Sequence, residues 1–185
     1  MSIFIMQRAD PYIYRHTDGT YYFTASVPSY DRIILRKSTT LKGLSQADEI
    51  TIWERHKEGI MSCNIWAPEL HYLDGKWYIY FAAGQIDDMW AIRPYVLECK
   101  DKDPLTGTWL ERGKMLPADD DEFTFEAFSL DATVFEHNGR HYYIWAEKVG
   151  VGKQISNLYI AEMESPTKLK TVQVLLTTPD YDWER

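Results

Sequence analysis

Residues 10–23 read DPYIYRHTDGTYYF, and two later segments follow the same plan. Residues 67–80 read APELHYLDGKWYIY, and residues 131–144 read DATVFEHNGRHYYI. In each segment a short strand-like run leads to Asp-Gly or Asn-Gly, and an aromatic run follows. These dipeptides adopt positive φ at little cost and favour the type I′ turn of a two-residue hairpin. The sequence therefore predicts three copies of one hairpin-based unit.

The remainder of each unit predicts two further strands, and so a four-stranded antiparallel sheet. The third strands are expected at Arg32–Lys37, Tyr95–Cys99 and Leu158–Met163, and the fourth strands near Thr51–Arg55, Thr108–Arg112 and Thr171–Leu176. No convincing amphipathic helix is found, because the one candidate, residues 44–53, is short and ends like a strand. The chain is thus predicted to be all-β.

The spacing of the units indicates a β-propeller. The turn glycines Gly19, Gly75 and Gly139 are 56 and 64 residues apart, which fits a propeller blade with long loops. We assign three four-stranded blades to residues 10–56, 67–115 and 131–178. Three blades do not close a ring, since propellers typically have about four to eight. We therefore expect residues 1–185 to form a single incomplete propeller domain, completed by C-terminal blades or by other chains of an oligomer.

Charge and composition exclude several kinds of partner. The chain carries 20 Lys and Arg against 28 Asp and Glu, which gives a formal net charge of −8. Binding to a phosphate backbone needs clustered basic residues, and the sequence has no such cluster. No apolar run approaches the roughly 18–20 residues that span a bilayer. We expect neither nucleic acid nor a membrane as a partner.

Two minor signals are interpreted as structural. Cys63 and Cys99 are too few for a disulfide framework, so we expect two free buried thiols, with a single disulfide as the alternative. Residues 119–122, Asp-Asp-Asp-Glu, lack the alternating ligands and the glycine of a calcium loop. They are predicted to form a solvated acidic loop.

Two carboxylates fall at equivalent positions of the repeat. The first strand of a propeller blade lies nearest the axis, so the strand starts at Asp10, Ala67 and Asp131 should surround the mouth of the central channel. Converging carboxylates beside aromatic rings are what glycoside hydrolysis requires, with one acid and one base flanking the sugar. The structural alternative is that each aspartate caps a turn or accepts backbone N–H bonds. The repeat favours catalysis, because two such positions face one channel.

The loops on the same face offer candidate sugar-binding side chains. Tyr30, Trp90 and Gln154 lie between the second and third strands of the first, second and third blades, respectively. Trp66 lies in the segment that enters the second blade. The two tryptophans are suited to stacking on a sugar ring, with packing between blades as the alternative.

From Arg8 to Arg185 the chain resembles glycoside hydrolase family 43, whose fold is a five-bladed β-propeller. The resemblance rests on residues 8–11 (RADP) with 18–22 (DGTYY), on 65–71 (IWAPELH) and on 128–135 (FSLDATVF), in this order and at these separations. It implies that about three of the five blades are present in this chain.

The resemblance implies an inverting mechanism with three acidic residues. By match to the family's motifs, Asp10 is the general base, and Asp131 tunes the pKa of the general acid and orients it. The family's general acid is a glutamate in a Glu-Gly-Pro-like motif at the start of the fourth blade, and this sequence has no such motif. Glu184 is not assigned that role. The chain alone is therefore expected to have little or no activity.

The resemblance also sets the expected substrates. It is closest to the α-L-arabinofuranosidases, with β-xylosidases as the near alternative, so the expected partner is an arabinose- or xylose-containing oligosaccharide of plant type. No cofactor and no metal ligand is assigned in this chain, although the complete propeller can hold a central calcium or other ion. Residues 1–6 are too short and lack the basic flank of a signal peptide, which makes the cytoplasm the expected compartment.

Two other functions stay open. One is a non-catalytic propeller that binds carbohydrate or protein, in which Asp10 and Asp131 would be replaceable. The other is the related five-bladed clan of retaining fructoside hydrolases. Residues 8–12 (RADPY) do not match the Asn-Asp-Pro-Asn-Gly-like start of that clan.

Overall fold

The computed structural model describes residues 4–149 and 155–184, which form three antiparallel sheets. The first sheet contains β1 (Ala9–Arg15), β2 (Tyr21–Ser26), β3 (Arg32–Ser38) and β4 (Ile50–Glu54). The second contains β5 (Cys63–Leu73), β6 (Lys76–Gln85), β7 (Asp88–Cys99) and β8 (Trp109–Lys114). The third contains β9 (Ser129–His137), β10 (Arg140–Val149), β11 (Ile155–Ser165), β12 (Lys168–Leu169) and β13 (Val174–Thr177). Short 3-10 helices lie at Lys42–Ser45 and Asp182–Glu184.

In the first two sheets the strands pair in chain order, as expected for propeller blades. The prediction of an all-β chain is confirmed. The candidate helix at residues 44–53 is only a 3-10 turn followed by β4. Within the described residues, no helix is long and apolar enough to cross a membrane.

The third sheet departs from the prediction in its outer strand. A single fourth strand was expected near Thr171–Leu176, but β12 and β13 both pair with β11. The segment that enters the blade pairs with the outer edge of β12: Leu116 N–H donates to Thr167 O (3.0 Å), and Leu169 N–H donates to Leu116 O (2.9 Å). The expected strand is thus divided in two, and Thr171 Oγ1 accepts the N–H of Glu162 between the two halves (3.1 Å).

Two of the three hairpin turns have the predicted geometry. Asp74 and Gly75 have φ of 49° and 79°, and Asn138 and Gly139 have φ of 52° and 72°, as a type I′ turn requires. The first turn is different, because five residues separate β1 from β2. There Gly19 N–H donates to His16 O (2.9 Å), and only Gly19 takes a positive φ within the turn. The type I′ prediction is wrong for this hairpin.

The aromatic residues mainly build the contacts between sheets. Successive residues of β6 face opposite sides, so Trp77 packs toward the first sheet and Tyr80 toward the third. The Trp77 ring lies 4.9 Å from Tyr22, and the Tyr80 ring lies 5.6 Å from Tyr143. These buried rings hold neighbouring blades together and fix the positions of the inner strands β1, β5 and β9.

The acidic run at 119–122 was predicted to be a solvated loop, and for Asp121 this prediction is wrong. Asp121 is only 7% exposed. Its carboxylate accepts bonds from the N–H of Thr124 (3.0 Å), the Thr124 hydroxyl (2.6 Å) and the N–H of Gln173 (2.9 Å). Burial opposes ionisation, but these donors hold the pKa of Asp121 below its usual range. Asp121 thus anchors the loop that leads into the third blade.

Candidate active site

The three inner strands share one irregularity in their N-terminal halves. Asp10, Ala67 and Asp131 have φ of 48°, 45° and 51°, the left-handed region that non-glycine residues seldom adopt. Each lies in a β-bulge: in the first sheet Ala9 pairs with Ser26 and Tyr12 with Thr24, so two residues oppose one. The same shift occurs at the equivalent points of β5 and β9. Bulges re-aim side chains and are frequent beside active sites.

The bulged residues converge on one cavity of about 210 Å³. It is lined by Asp10, Pro11, Tyr12, Ala67, Glu69 and Asp131. The structure therefore brings together the two aspartates that the sequence repeat singled out. It also adds a third carboxylate, Glu69, which the sequence analysis missed.

Asp10 is held by a short chain of hydrogen bonds that joins the first two sheets. The hydroxyl of Ser26 donates to Oδ2 of Asp10 (2.8 Å). The backbone N–H of Ala67 donates to the same Ser26 oxygen (2.8 Å). The start of β5 thereby supports the side chain at the start of β1.

Glu69 is paired with a buried histidine. Nε2 of His71 lies 3.0 Å from Oε2 of Glu69, and the His71 ring lies 5.3 Å from that of Tyr12. Burial and the negative charge of Glu69 raise the pKa of Tyr12, so its phenol stays neutral at physiological pH. The wall between Asp10 and Glu69 therefore offers a neutral hydroxyl among acidic groups.

The charge of the cavity acts on Asp131. Burial raises the pKa of its carboxyl above the usual value, and the nearby carboxylates of Asp10 and Glu69 raise it further. Pairs of carboxyls whose environments differ are typical of sites that divide acid and base work. The arrangement places a carboxyl group that resists ionisation, that of Asp131, in one cavity with the carboxyl groups of Asp10 and Glu69.

The candidate sugar-binding residues lie in two groups. Tyr30 contacts Trp66 edge to face, at 5.9 Å between ring centroids, and helps to line a second cavity with Arg8, Ala9 and Ser26. This pair stands on the Asp10 side of the site. Trp90 is 65% exposed and lies 6.3 Å from the ring of Phe128, on the side of the third blade. Gln154 lies outside the described residues.

The donor set of this part of the site bears on metal binding. In residues 4–149 and 155–184, no group of three or more His, Cys, Asp or Glu side chains is arranged to hold a metal ion. The residues present thus do not by themselves fit the central ion that the resemblance implies.

Known proteins resemble this chain along nearly its whole length. The family model of the Glycosyl hydrolases family 43 matches residues 2–184. The chain is 51% identical over 180 residues to the extracellular exo-α-(1→5)-L-arabinofuranosidase of Streptomyces chartreusis, covering 97% of this chain and 53% of that protein. It is 46% identical over 182 residues to α-L-arabinofuranosidase 43 of Humicola insolens, covering 98% of this chain and 36% of that protein.

Among solved structures, the α-L-arabinofuranosidase from Lactobacillus brevis superposes with a TM-score of 0.87 at 51% identity. The match covers 98% of this chain and 57% of that one. The chain thus spans about half, or less, of the length of these relatives.

Proposed function

Because the chain belongs to the glycosyl hydrolases of family 43, we propose that it supplies the general base of an α-L-arabinofuranosidase. The observation that carries this proposal is the convergence of Asp10 and Asp131, from equivalent bulges of two blades, on one cavity. The relatives named above support arabinofuranosides over xylosides as the substrate class. Two relatives from Streptomyces are named as exo-α-(1→5)-L-arabinofuranosidases, so α-(1→5)-linked arabino-oligosaccharides are the first substrates to test.

Asp10 is proposed to activate the attacking water. Oδ2 is occupied by the hydroxyl of Ser26, which leaves Oδ1 to take the proton as the water oxygen bonds to the anomeric carbon. The glycosidic C–O bond breaks on the opposite side, and the leaving oxygen receives a proton from the general acid. A separation of roughly 6.5–9.5 Å between base and acid leaves room for the water and inverts the anomeric centre.

Asp131 is proposed to act on the general acid rather than on water. Burial, with the charges of Asp10 and Glu69, raises the pKa of Asp131, which supports a cavity that disfavours additional negative charge. An acid placed beside Asp131 and Asp10 would be kept protonated by the same repulsion. Tyr30 and Trp66 are proposed to flank the sugar on the Asp10 side, with Trp90 and Gln154 on the side of the third blade.

The general acid is proposed to lie outside these 185 residues. The relatives are longer, and the third sheet has an apolar face that suits a further blade. Phe135, Leu158 and Val174 are exposed there, on the side turned away from the second sheet. We propose that residues 1–185 form an incomplete propeller domain that is inactive alone.

A complementation assay tests the proposal. The purified chain is incubated with p-nitrophenyl α-L-arabinofuranoside and β-D-xyloside, alone and with the C-terminal half of the Lactobacillus brevis relative. We expect turnover only in the mixture, with the arabinofuranoside preferred. Robust turnover by the pure monomeric chain would contradict the claim of inactivity. Preference for the xyloside would contradict the substrate class.

A second candidate function is carbohydrate binding without hydrolysis. It is favoured by the aromatic rings beside the cavity, the pair Tyr30 and Trp66 and the exposed Trp90, which are suited to holding a sugar. It predicts that Asp10→Asn and Asp131→Asn bind arabino-oligosaccharides as tightly as the unaltered chain, measured by calorimetry.

We also propose that the protein is cytoplasmic. Cell fractionation tests this, because a cytoplasmic protein would be found in the soluble cell fraction and not in the medium.

A further inference from the structure

Ser26 occupies a position that differs among the three blades. The residues before the bulges, Ala9, Trp66 and Leu130, pair across the sheet with Ser26, Ala82 and Ala146, respectively. Only the first blade therefore carries a hydroxyl at this point. The two aspartates have equivalent backbones, but the neighbour of Asp131 has no side-chain donor to offer.

The hydrogen bonds of Ser26 have a fixed direction. A serine hydroxyl has one proton to donate, and its oxygen accepts. The Ala67 N–H can only donate and an ionised carboxylate can only accept, so Ser26 accepts from Ala67 and donates its own proton to Oδ2 of Asp10 (2.8 Å for each bond). Oδ2 thus has one lone pair engaged, whereas Oδ1 accepts no hydrogen bond from the described residues, which favours Oδ1 as the oxygen that collects a proton.

Burial makes this arrangement rigid. Ser26 is 1% exposed, so no water replaces its partners freely. It bridges Asp10 and Ala67, both of which have a left-handed backbone that the surrounding structure must hold in place. The bridge therefore fixes the side-chain rotamer of Asp10 relative to the second blade.

We propose that Ser26 is a positioning residue that makes Asp10, and not the equivalent Asp131, the general base. It does so by holding Oδ2 and presenting Oδ1 to the cavity, where water would be bound. Ala146 leaves Asp131 free of this constraint. The inference rests on the proposed role of Asp10, and the experiment below separates the two.

The first test uses NMR on the 185-residue chain and needs no activity. Ser26→Ala should make the Ala67 amide exchange with solvent about tenfold faster. It should also average the three-bond couplings that report χ1 of Asp10. The matched control is Thr24→Val, because Thr24 lies two residues earlier on the same strand, is 0% exposed and has a hydroxyl without a partner among the described residues. Thr24→Val should change neither signal.

The second test uses the complemented, active protein. Ser26→Ala should lower kcat by about 10- to 100-fold with little change in KM, because a misplaced base affects the chemical step. Ser26→Thr, which keeps the hydroxyl, should recover most of the loss. If Ser26→Ala does not fold, Ser26→Cys, a weaker donor, replaces it with the same expected direction.

The outcomes are distinguishable. If Asp10→Ala keeps full hydrolysis, the proposed function of Asp10 fails. If Asp10→Ala is inactive but Ser26→Ala keeps ordered Asp10 couplings and an unchanged kcat, the role of Ser26 is overturned. An equal loss of kcat in Thr24→Val and Ser26→Ala would overturn the role of Ser26 as well. Substitution of any buried side chain in this strand would then lower kcat.

Discussion

Asp10 and Asp131 occupy equivalent bulges of the first and third sheets, with φ of 48° and 51°, and line the same cavity. Each non-glycine residue in this conformation costs on the order of 1–2 kcal/mol. Such strain persists only where the surrounding structure determines it, and it clusters at functional sites. The repeat of the bulge in β5, where the residue is Ala67, indicates that the fold builds the strained position and that two blades place a carboxylate there.

The coupling between the two aspartates can be measured directly. Asp10→Asn should lower the pKa of Asp131, because it removes a negative charge while asparagine tolerates the positive φ. Glu69→Gln should lower it too, by less. The measurement is a titration followed by carbon NMR of the Asp131 carboxyl. The control is Asp119→Asn, because Asp119 is exposed at the surface of the acidic loop. This variant should leave the pKa of Asp131 unchanged.

Asp131 should make stability depend on pH. Folding raises its pKa, chiefly through burial, so ionisation is harder in the folded chain than in the unfolded one. This penalty is absent below the unfolded pKa of about 4 and develops as the pH rises through the folded value. Asp131→Asn should therefore raise the free energy of unfolding at pH 7, with the gain shrinking toward acid pH. Denaturant unfolding of both proteins at pH 7 and at a pH below about 4 measures this gain. An equal gain in the free energy of unfolding at the two pH values would contradict the prediction.

The strain at the second bulge gives opposite predictions for two alanines. Ala67 has φ of 45°, so Ala67→Gly should leave the free energy of unfolding unchanged or raise it slightly. Ala25 is fully buried in β2, and Ala25→Gly should lower it by about 1 kcal/mol. Chemical denaturation of both variants provides the comparison. A similar loss for both would show that the bulge is not strained.

The acidic loop offers a further matched pair. Asp121→Ala leaves several buried N–H and O–H donors without an acceptor and should cost about 2–4 kcal/mol of stability. Asp119 pairs only at the surface with Lys168, so Asp119→Ala should change stability by less than about 0.5–1 kcal/mol. Thermal unfolding of the two variants distinguishes them. An equal loss of stability in the two variants would contradict the anchoring role of Asp121.

Repeat periodicity predicted the sheets but not their irregularities. Alternation and turn dipeptides identify hairpins, and so β5–β6 and β9–β10 were found with their turns. The first hairpin differs because Thr17 lengthens the loop, which moves the positive φ to Gly19 alone. A one-residue bulge leaves no mark on a strand's composition, so the bulges at Asp10 and Asp131 were not predicted, although the repeat placed both residues at one channel.

Glu69 was missed for a related reason. Its equivalents in the other blades are Tyr12 and Thr133, so the repeat gave no second carboxylate to draw attention to it. Asp121 was missed because a run of acidic residues is usually solvated, and its acceptor role depends on Gln173, 52 residues away. Long-range partners of this kind cannot be read from local sequence patterns.

The central claim is that Asp10 is the general base of an arabinofuranosidase. The most direct test is kcat/KM of Asp10→Ala relative to the unaltered chain, with both complemented by the same C-terminal half and acting on an α-(1→5)-linked arabino-oligosaccharide. The account predicts a fall of about 10²–10⁴-fold, as for the loss of one acid/base group. A value within tenfold of the unaltered protein would contradict it.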